Sequence, residues 1–174
     1  MAHVLKVATV ALTIVFVWPQ LATAQALESR DKHGYWWVFQ NKDTDSTLCY
    51  MASEPTRKQG NYTKRGDVYA MITHRPNDKT YHVVSITTGY TYDTTKPVEV
   101  AIDGDKKFNL FPHGEDAWAN DEKDDKALVV AMRRGGSMVV QGTSSRGTLT
   151  TDTYSLSGFT AAHKAINAAC KAKW

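Results

Sequence analysis

The sequence predicts a mainly β fold: an antiparallel β-sandwich or partly open barrel of about eight strands, with a short internal helix and a C-terminal helix. Two observations lead to this fold class. Short strand-like segments follow one another with only turns between them as far as Phe111, which disfavours the helical crossovers of a parallel α/β sheet. Two longer segments, 121–134 and 158–171, instead carry apolar residues at helical spacing.

The strand-like segments are short, rich in β-branched and aromatic residues, and bounded by turn residues. In the first of them Trp36 and Trp37 face opposite sides, because side chains alternate along a strand. Pro76 presets the turn between the third and fourth strands, and the Asp103–Asp105 segment, Asp-Gly-Asp, is a strong hairpin signal. The predicted strands are 36–39, 47–53, 68–73, 81–87, 98–102, 108–111, 137–142 and 148–156.

Charge order predicts the helix at 121–134, because acidic residues occupy its first turns and Arg133 and Arg134 its last. Gly135 then suits the left-handed position just beyond a helix end. In the second helix Ser157 is the predicted N-cap. Residues three and four apart place one set of side chains on a single face, directed at the sheet. These residues are Phe159, Ala162, Ile166, Ala169 and Cys170.

The first 24 residues read as a cleavable secretory signal peptide. Residues 7–17 are apolar residues and Thr, a run too short to span a bilayer, and Ala22-Thr23-Ala24 matches the small-residue pattern that signal peptidase needs before Gln25. The alternatives are an N-terminal membrane anchor or a buried helix. We expect residues 25–174 to form one domain outside the cytoplasm, either periplasmic or at the cell surface, because no later stretch is apolar enough for a transmembrane helix.

The two cysteines predict one disulfide bond, Cys49–Cys170. Export places the chain in an oxidising compartment, and two cysteines permit a single intramolecular pairing. Cys49 lies in a predicted strand, and Cys170 lies on the sheet-facing side of the last helix. The alternative is a pair of buried free thiols.

Composition and motifs predict neither an enzyme nor a nucleic-acid-binding protein. The net charge of the whole chain is +3 and no block of Lys or Arg occurs, so we expect no nucleic-acid partner. No GxSxG nucleophile motif is present, and the histidines form neither HExxH nor another defensible ligand spacing. We therefore expect no catalytic residue, no metal ligand and no cofactor.

Tyr90 and Tyr92 are the residues that we expect to contact a partner. Both belong to the polar segment 89–96, which we expect to be an exposed loop. An exposed aromatic loop suits contact with a protein or a glycan. Most other aromatic residues are expected in the core.

Two C-terminal segments, 127–135 and 146–162, closely resemble the bacterial invasion-associated locus B family. The first reads Ala-Leu-Val-Val-Ala-Met-Arg-Arg-Gly, and the second reads Arg-Gly-Thr-Leu-Thr-Thr-Asp-Thr-Tyr-Ser-Leu-Ser-Gly-Phe-Thr-Ala-Ala. Many members carry further cysteines, whereas this chain has none between Cys49 and Cys170 and so resembles a divergent subgroup. The resemblance implies a β-rich extracytoplasmic protein and an association with host-cell invasion.

The expected function is that of an exported, non-enzymatic envelope or surface protein of the invasion-associated locus B type. It is expected to act by contacting another envelope protein or a host surface. The alternative is a small periplasmic enzyme or ligand carrier. A pocket lined by two or more of His74, His82 and His113, or tight retention of a metal, favours that alternative.

Overall fold

A computed structural model describes residues 28–42 and 47–173. The predicted signal peptide, residues 1–24, lies outside the described residues, as does Trp174. The described chain is mainly β, with eleven strands, two α-helices and a single 3-10 turn at Pro76–Asp78. The strands are β1 Glu28–His33, β2 Trp36–Lys42, β3 Thr47–Ser53, β4 Arg57–Gly60, β5 Tyr69–Arg75, β6 Thr80–Thr87, β7 Val98–Ile102, β8 Lys106–His113, β9 Asp116–Trp118, β10 Ser137–Thr143 and β11 Leu149–Ser155. The helices are α1 Glu122–Arg134 and α2 Phe159–Ala169.

All eleven strands form one antiparallel sheet in the order β1-β2-β3-β5-β6-β9-β8-β7-β10-β11-β4. The sheet is not closed, since β1 and β4 are its two edges. Strand β8 joins the two halves, because residues 106–110 pair with β7 and residues 111–113 pair with β9. Side chains from both halves meet in one hydrophobic core. The predicted fold class is confirmed.

The strand pattern of the sequence predicted eight of these strands, and the structure adds β1, β4 and β9. Strand β4 is Arg-Lys-Gln-Gly, exposed throughout, and β1 is Glu-Ser-Arg-Asp-Lys-His. Edge strands are often polar, so a search for alternating apolar and polar residues does not detect them. In β2 the predicted alternation holds: Trp36 is buried and Trp37 is 44% exposed.

Helix α1 begins as the charge pattern predicted but ends differently. Asp121 is its N-cap, and the Asp121 carboxylate accepts a hydrogen bond from the backbone N–H of Asp124 at 2.8 Å. The prediction of a left-handed Gly135 is wrong, because that residue is extended, at φ −90°. Glycine is required there by close approach: a Cβ would lie 2.4 Å from Cγ2 of Ile102.

The predicted N-cap of α2 is also wrong. Gly158, not Ser157, occupies that position, with φ 89° and no side-chain cap. A Cβ on Gly158 would lie 2.1 Å from the carbonyl oxygen of His33, so only glycine lets the β1–β2 turn pack against the helix start. The helix is anchored at this end by Phe159, whose ring meets the ring of Trp36 edge-on at 4.9 Å.

The disulfide bond between Cys49 and Cys170 is confirmed. It joins β3 to the residue that caps the C-terminal end of α2, and the two Cα atoms lie 5.9 Å apart. The helix is therefore held at both ends, by Phe159 at the start and by the disulfide at the finish. No helix in the described ranges is long and apolar enough to cross a membrane.

Candidate functional site

A cleft of about 580 Å³ opens between three loops of the β-sheet. The loops are 61–66, 89–91 and 144–148, and Glu115 and Thr150 complete the lining. Most of the lining side chains are polar, which distinguishes this cleft from an apolar small-molecule pocket.

A buried ion pair stands beside the cleft. The Arg65 guanidinium donates two hydrogen bonds to the Asp152 carboxylate, at 2.7 and 2.6 Å, and its Nε donates to the carbonyl of Thr88 at 2.6 Å. The two side chains are 4% and 1% exposed. Burial lowers the pKa of Arg65, but the hydrogen bond and the charge of Asp152 outweigh that effect and raise it. This bidentate pair holds loop 61–66 against β11.

Two tyrosines flank the Arg65 guanidinium. The carbon of that group lies 5.5 Å from the ring centre of Tyr62 and 5.1 Å from that of Tyr90. The Tyr90 hydroxyl lies 2.7 Å from the Thr150 hydroxyl, and burial raises the pKa of the Tyr90 phenol. One wall of the cleft is thus a fixed stack of tyrosine, guanidinium and tyrosine.

Backbone contacts between the loops hold the cleft open in one shape. The N–H of Gly66 donates to the carbonyl of Gly89 at 2.9 Å, and the N–H of Ser145 donates to the carbonyl of Thr91 at 2.8 Å. Gly89 has φ 68°, and a Cβ there would lie 2.4 Å from the Gly66 carbonyl carbon. All three loops are therefore tied together before any ligand arrives.

The predicted contact residues, Tyr90 and Tyr92, are separated by the structure. Tyr90 lines the cleft and is half-buried, so its role as a contact residue stays a prediction. The expectation that Tyr92 is exposed is wrong, because its side chain is 2% exposed. Its ring occupies the space left by Gly142, where a Cβ would lie 2.5 Å from a ring carbon of Tyr92. Burial raises the pKa of the Tyr92 phenol.

A second polar cluster lies between the sheet and α2. We call it the histidine network: His74 of β5, His82 of β6, His163 and Asn167 of α2, and the carbonyl of Lys173. A β-bulge brings the first two together, because the β5–β6 register shifts between Thr73 and Arg75. His82 adopts φ 62°, a left-handed backbone that non-glycine residues seldom take. All three imidazoles are buried.

The hydrogen bonds of the network run in one direction. The backbone N–H of His82 donates to Nδ1 of His74 at 2.9 Å, so a neutral His74 carries its proton on Nε2 and donates to Oδ1 of Asn167 at 2.7 Å. The Asn167 amide then donates to Nδ1 of His163 at 3.4 Å. His163 Nε2–H donates to Nδ1 of His82 at 3.1 Å, and His82 Nε2–H donates to the Lys173 carbonyl at 3.4 Å.

Burial favours the neutral form of each imidazole in the network. It lowers the pKa of His74 to about 4 and, together with the neighbouring histidines, that of His163 to about 3. Burial also lowers the pKa of His82. These lowered pKa values agree with the donor and acceptor roles in the network, which require all three imidazoles to be neutral.

The histidine network has the spacing of a metal site but not its free lone pairs. One ring nitrogen from each of His74, His82 and His163 lies within 4.8 Å of the others. In the neutral tautomers of the network, however, the lone pair of each ring accepts a hydrogen bond, and His74 receives its bond from a backbone N–H that cannot reverse. The network as folded therefore does not fit a metal ion. His113, the other histidine named with His74 and His82, is exposed on β8 and lies outside this group.

The family model for the invasion associated locus B (IalB) protein matches residues 36–167, which include the cleft, every side chain of the histidine network and most of the sheet. The chain belongs to the invasion-associated locus B family. The match begins at Trp36 of β2 and ends at Asn167 of the histidine network. Comparison with curated proteins and with solved structures finds no match.

Most residues of the cleft and of the histidine network were not predicted from the sequence of this invasion-associated locus B family member. Asp152 carried a usable signal: in the predicted strand 148–156 it alternates with Thr150 and Tyr154, so a charge falls on the buried face and needs a partner. Arg65 gave no comparable signal, because it lies in a loop. His163 lies four residues after Phe159 and three before Ile166, so helical spacing places it on the apolar face of the last helix but does not identify its partners.

Proposed function

We propose that this member of the invasion-associated locus B family is an exported, non-enzymatic binding protein that contacts another envelope protein or a host surface. Export is supported by the predicted signal peptide and by the Cys49–Cys170 disulfide, a bond typical of oxidising compartments. The proposal includes removal of residues 1–24 and an association with host-cell invasion, as the family name suggests.

The observation that carries the proposal is the preformed cleft beside Arg65. A rigid concave surface with polar and aromatic groups at its rim loses little conformational entropy when a partner binds. Tyrosine suits such a surface, because its ring gives contact area and its hydroxyl gives a hydrogen bond. Tyr62 is 36% exposed and offers this combination at the mouth of the cleft.

The chemistry of the cleft supports binding rather than catalysis. Its lining contains neither histidine, the commonest general base, nor cysteine, the strongest side-chain nucleophile at neutral pH. The carboxylate beside it, that of Asp152, is held by Arg65 and buried. Lys64, Glu115 and Arg146 are exposed at the rim and provide charges of both signs for a polar partner.

The test is capture from cell envelopes and from host-cell surfaces, with the protein purified after export as bait. We expect Lys64→Glu and Arg146→Glu to abolish capture of the specific partner, because both reverse charges at the rim. Lys123→Glu is the matched control, since it makes the same change at an exposed position on α1 outside the cleft lining. Equal capture by the rim variants and the control would contradict the proposal.

The cleft volume favours one alternative, a small-ligand carrier, since about 580 Å³ falls within the range of small-molecule sites. Native mass spectrometry of the protein purified after export separates the two functions. A carrier retains a small molecule that Arg146→Glu releases, whereas a protein-binding or surface-binding module gives the mass of the chain alone.

A further inference from the structure

We propose that the histidine network is an acid-operated latch: protonation of its imidazoles loosens α2 and residues 170–173 from the sheet, while the Cys49–Cys170 disulfide keeps the loosened segment attached. This inference goes beyond the binding function, because the network lies apart from the cleft lining and no cleft residue belongs to it.

The network is positioned to act as a latch because its bonds cross from the sheet to the C-terminal segment. His74 and His82 lie on neighbouring strands, and they meet His163 and Asn167 on α2. Besides the network, α2 is attached by its apolar side chains and by the disulfide at its end. Its start has no side-chain cap, and its buried face consists of Phe159, Ala162, His163 and Ile166.

A single added proton has no place in the network. The acceptor nitrogen of each ring already faces a donor. If His82 gains a proton on Nδ1, it becomes the donor to Nε2 of His163. His163 must then carry its own proton on Nδ1. Asn167 must then turn its oxygen toward His163 and its amide toward His74. His74 would need its proton on Nδ1, where it meets the N–H of His82.

The backbone N–H of His82 is thus the fixed end of the network, because a peptide N–H cannot become an acceptor. A proton added at any of the three rings reaches the same conflict. Protonation therefore breaks one hydrogen bond of the network wherever it occurs, and a buried donor left facing a donor is unfavourable. Where the conflict falls between His82 and His163 or between His74 and Asn167, the broken bond is one that joins helix and sheet.

The groups around the network act on a charged imidazole in both directions, and a backbone hydrogen bond with Thr73 favours a charged His74. From α1, Lys126 and Arg133 disfavour a charged His82 and Glu122 favours it, while Arg133 also disfavours a charged His163. From β6, the Tyr81 ring lies 5.9 Å from the His74 ring. From β3, Cys49 pairs with His74 in the sheet and is bound in the disulfide.

Hydrogen exchange of the α2 amides, compared with those of α1, tests the latch in the protein purified after export. Rates at pH 7 and pH 5 are corrected for the intrinsic exchange rate at each pH. For each of His74 and His163 that protonates on opening, we expect the protection of residues 159–169 to fall about 20-fold while that of 122–134 does not fall, because the ordinary pKa is about 6.5 in the open state and the closed-state pKa is about 4 for His74 and about 3 for His163.

The variant His163→Gln removes one titrating group and keeps a side chain that can donate and accept hydrogen bonds. We expect it to reduce the acid-induced loss of α2 protection by about 20-fold, one histidine's share. His113→Gln, at an exposed position on β8, is the matched control and should leave the acid response of α2 unchanged.

A direct measurement on the unmodified protein keeps the test decisive if His163→Gln does not fold. NMR titration of the imidazole signals should show three histidines that stay neutral below pH 6. The latch is overturned if α1 and α2 lose protection in parallel, or if all histidines titrate near pH 6.5. Stoichiometric retention of a transition metal also overturns it, because the metal would occupy the lone pairs that the latch uses.

Discussion

Helices α1 and α2 pack against the same sheet, but the ionisable side chain that each buries is of opposite type. On α1 the Asp125 carboxylate accepts a hydrogen bond from the backbone N–H of Val84 on β6 at 2.8 Å. Burial raises the pKa of Asp125 to about 6, a rise that the Val84 bond limits. On α2 burial lowers the pKa of His163 to about 3.

The same physical cause therefore gives the two helices opposite responses to acid. Burial favours the neutral form, which is protonated for a carboxylic acid and deprotonated for an imidazole. Folded Asp125 binds more protons than the unfolded chain between about pH 6 and pH 4, so its contribution to stability rises as pH falls through that range. Folded His163 binds fewer protons below about pH 6.5, so its contribution falls.

Removing the disulfide should have the largest effect and should separate the two helices further. We expect the double variant Cys49→Ala/Cys170→Ala to lose about 2–4 kcal/mol of unfolding free energy, because the bond closes a loop of 121 residues. Urea unfolding at pH 7 measures the loss. In the variant, the amide exchange rates of α2 should increase much more than those of α1. An equal rise in both helices would mean that the bond supports the whole sheet and not the C-terminal segment.

Replacing Asp125 should expose the acid response of α2 alone. We expect Asp125→Asn to lose stability more steeply than the unmodified protein on acidification from pH 6 to pH 4, by at most about 1.4 kcal/mol for each pH unit, because the variant lacks the group that gains protons on folding. Chemical denaturation at several pH values gives this slope. Asp105→Asn, in the exposed β7–β8 hairpin, is the control. Identical slopes for the two variants would remove Asp125 from the acid response.

The smallest expected effect concerns the helix starts. Asp121→Ala should cost about 1 kcal/mol, because its carboxylate caps the first turn of α1. Ser157→Ala should change stability by less than about 0.5 kcal/mol, since α2 has Gly158 as its N-cap and no side-chain cap. Thermal unfolding of both variants makes the comparison. A larger loss for Ser157→Ala than for Asp121→Ala would restore the original prediction for α2.

Local pattern predicted the elements well and their polar partners poorly. The eight strands and two helices followed from residue type and spacing within short windows, and so did the orientation of Trp36. The polar strands β1 and β4 did not, because they pair at the sheet edges without an apolar face. The exposure of Tyr92 was predicted wrongly, because the space that buries its ring is left by Gly142 on another strand.

The disulfide was accessible from sequence because so few pairings were available. Two cysteines allow one intramolecular bond, and the predicted helix face directed Cys170 toward the sheet, where Cys49 was predicted to lie in a strand. Five histidines lie beyond residue 24 and allow many groupings. The helical pattern marks His163 as buried, but nothing in the sequence shows that it meets His74 and His82 while His113 lies outside the network.

The amino-acid sequence by itself determined the β-rich class, the positions of most elements, the family resemblance and the disulfide. Only the tertiary structure decided which polar groups meet. Arg65 and Asp152 are 87 residues apart in the chain, and His82 and His163 are 81 apart. Periodicity reports which face of an element is buried, whereas the partner across the core depends on strand order and on where α2 crosses the sheet. The cleft and the histidine network both arise from that arrangement.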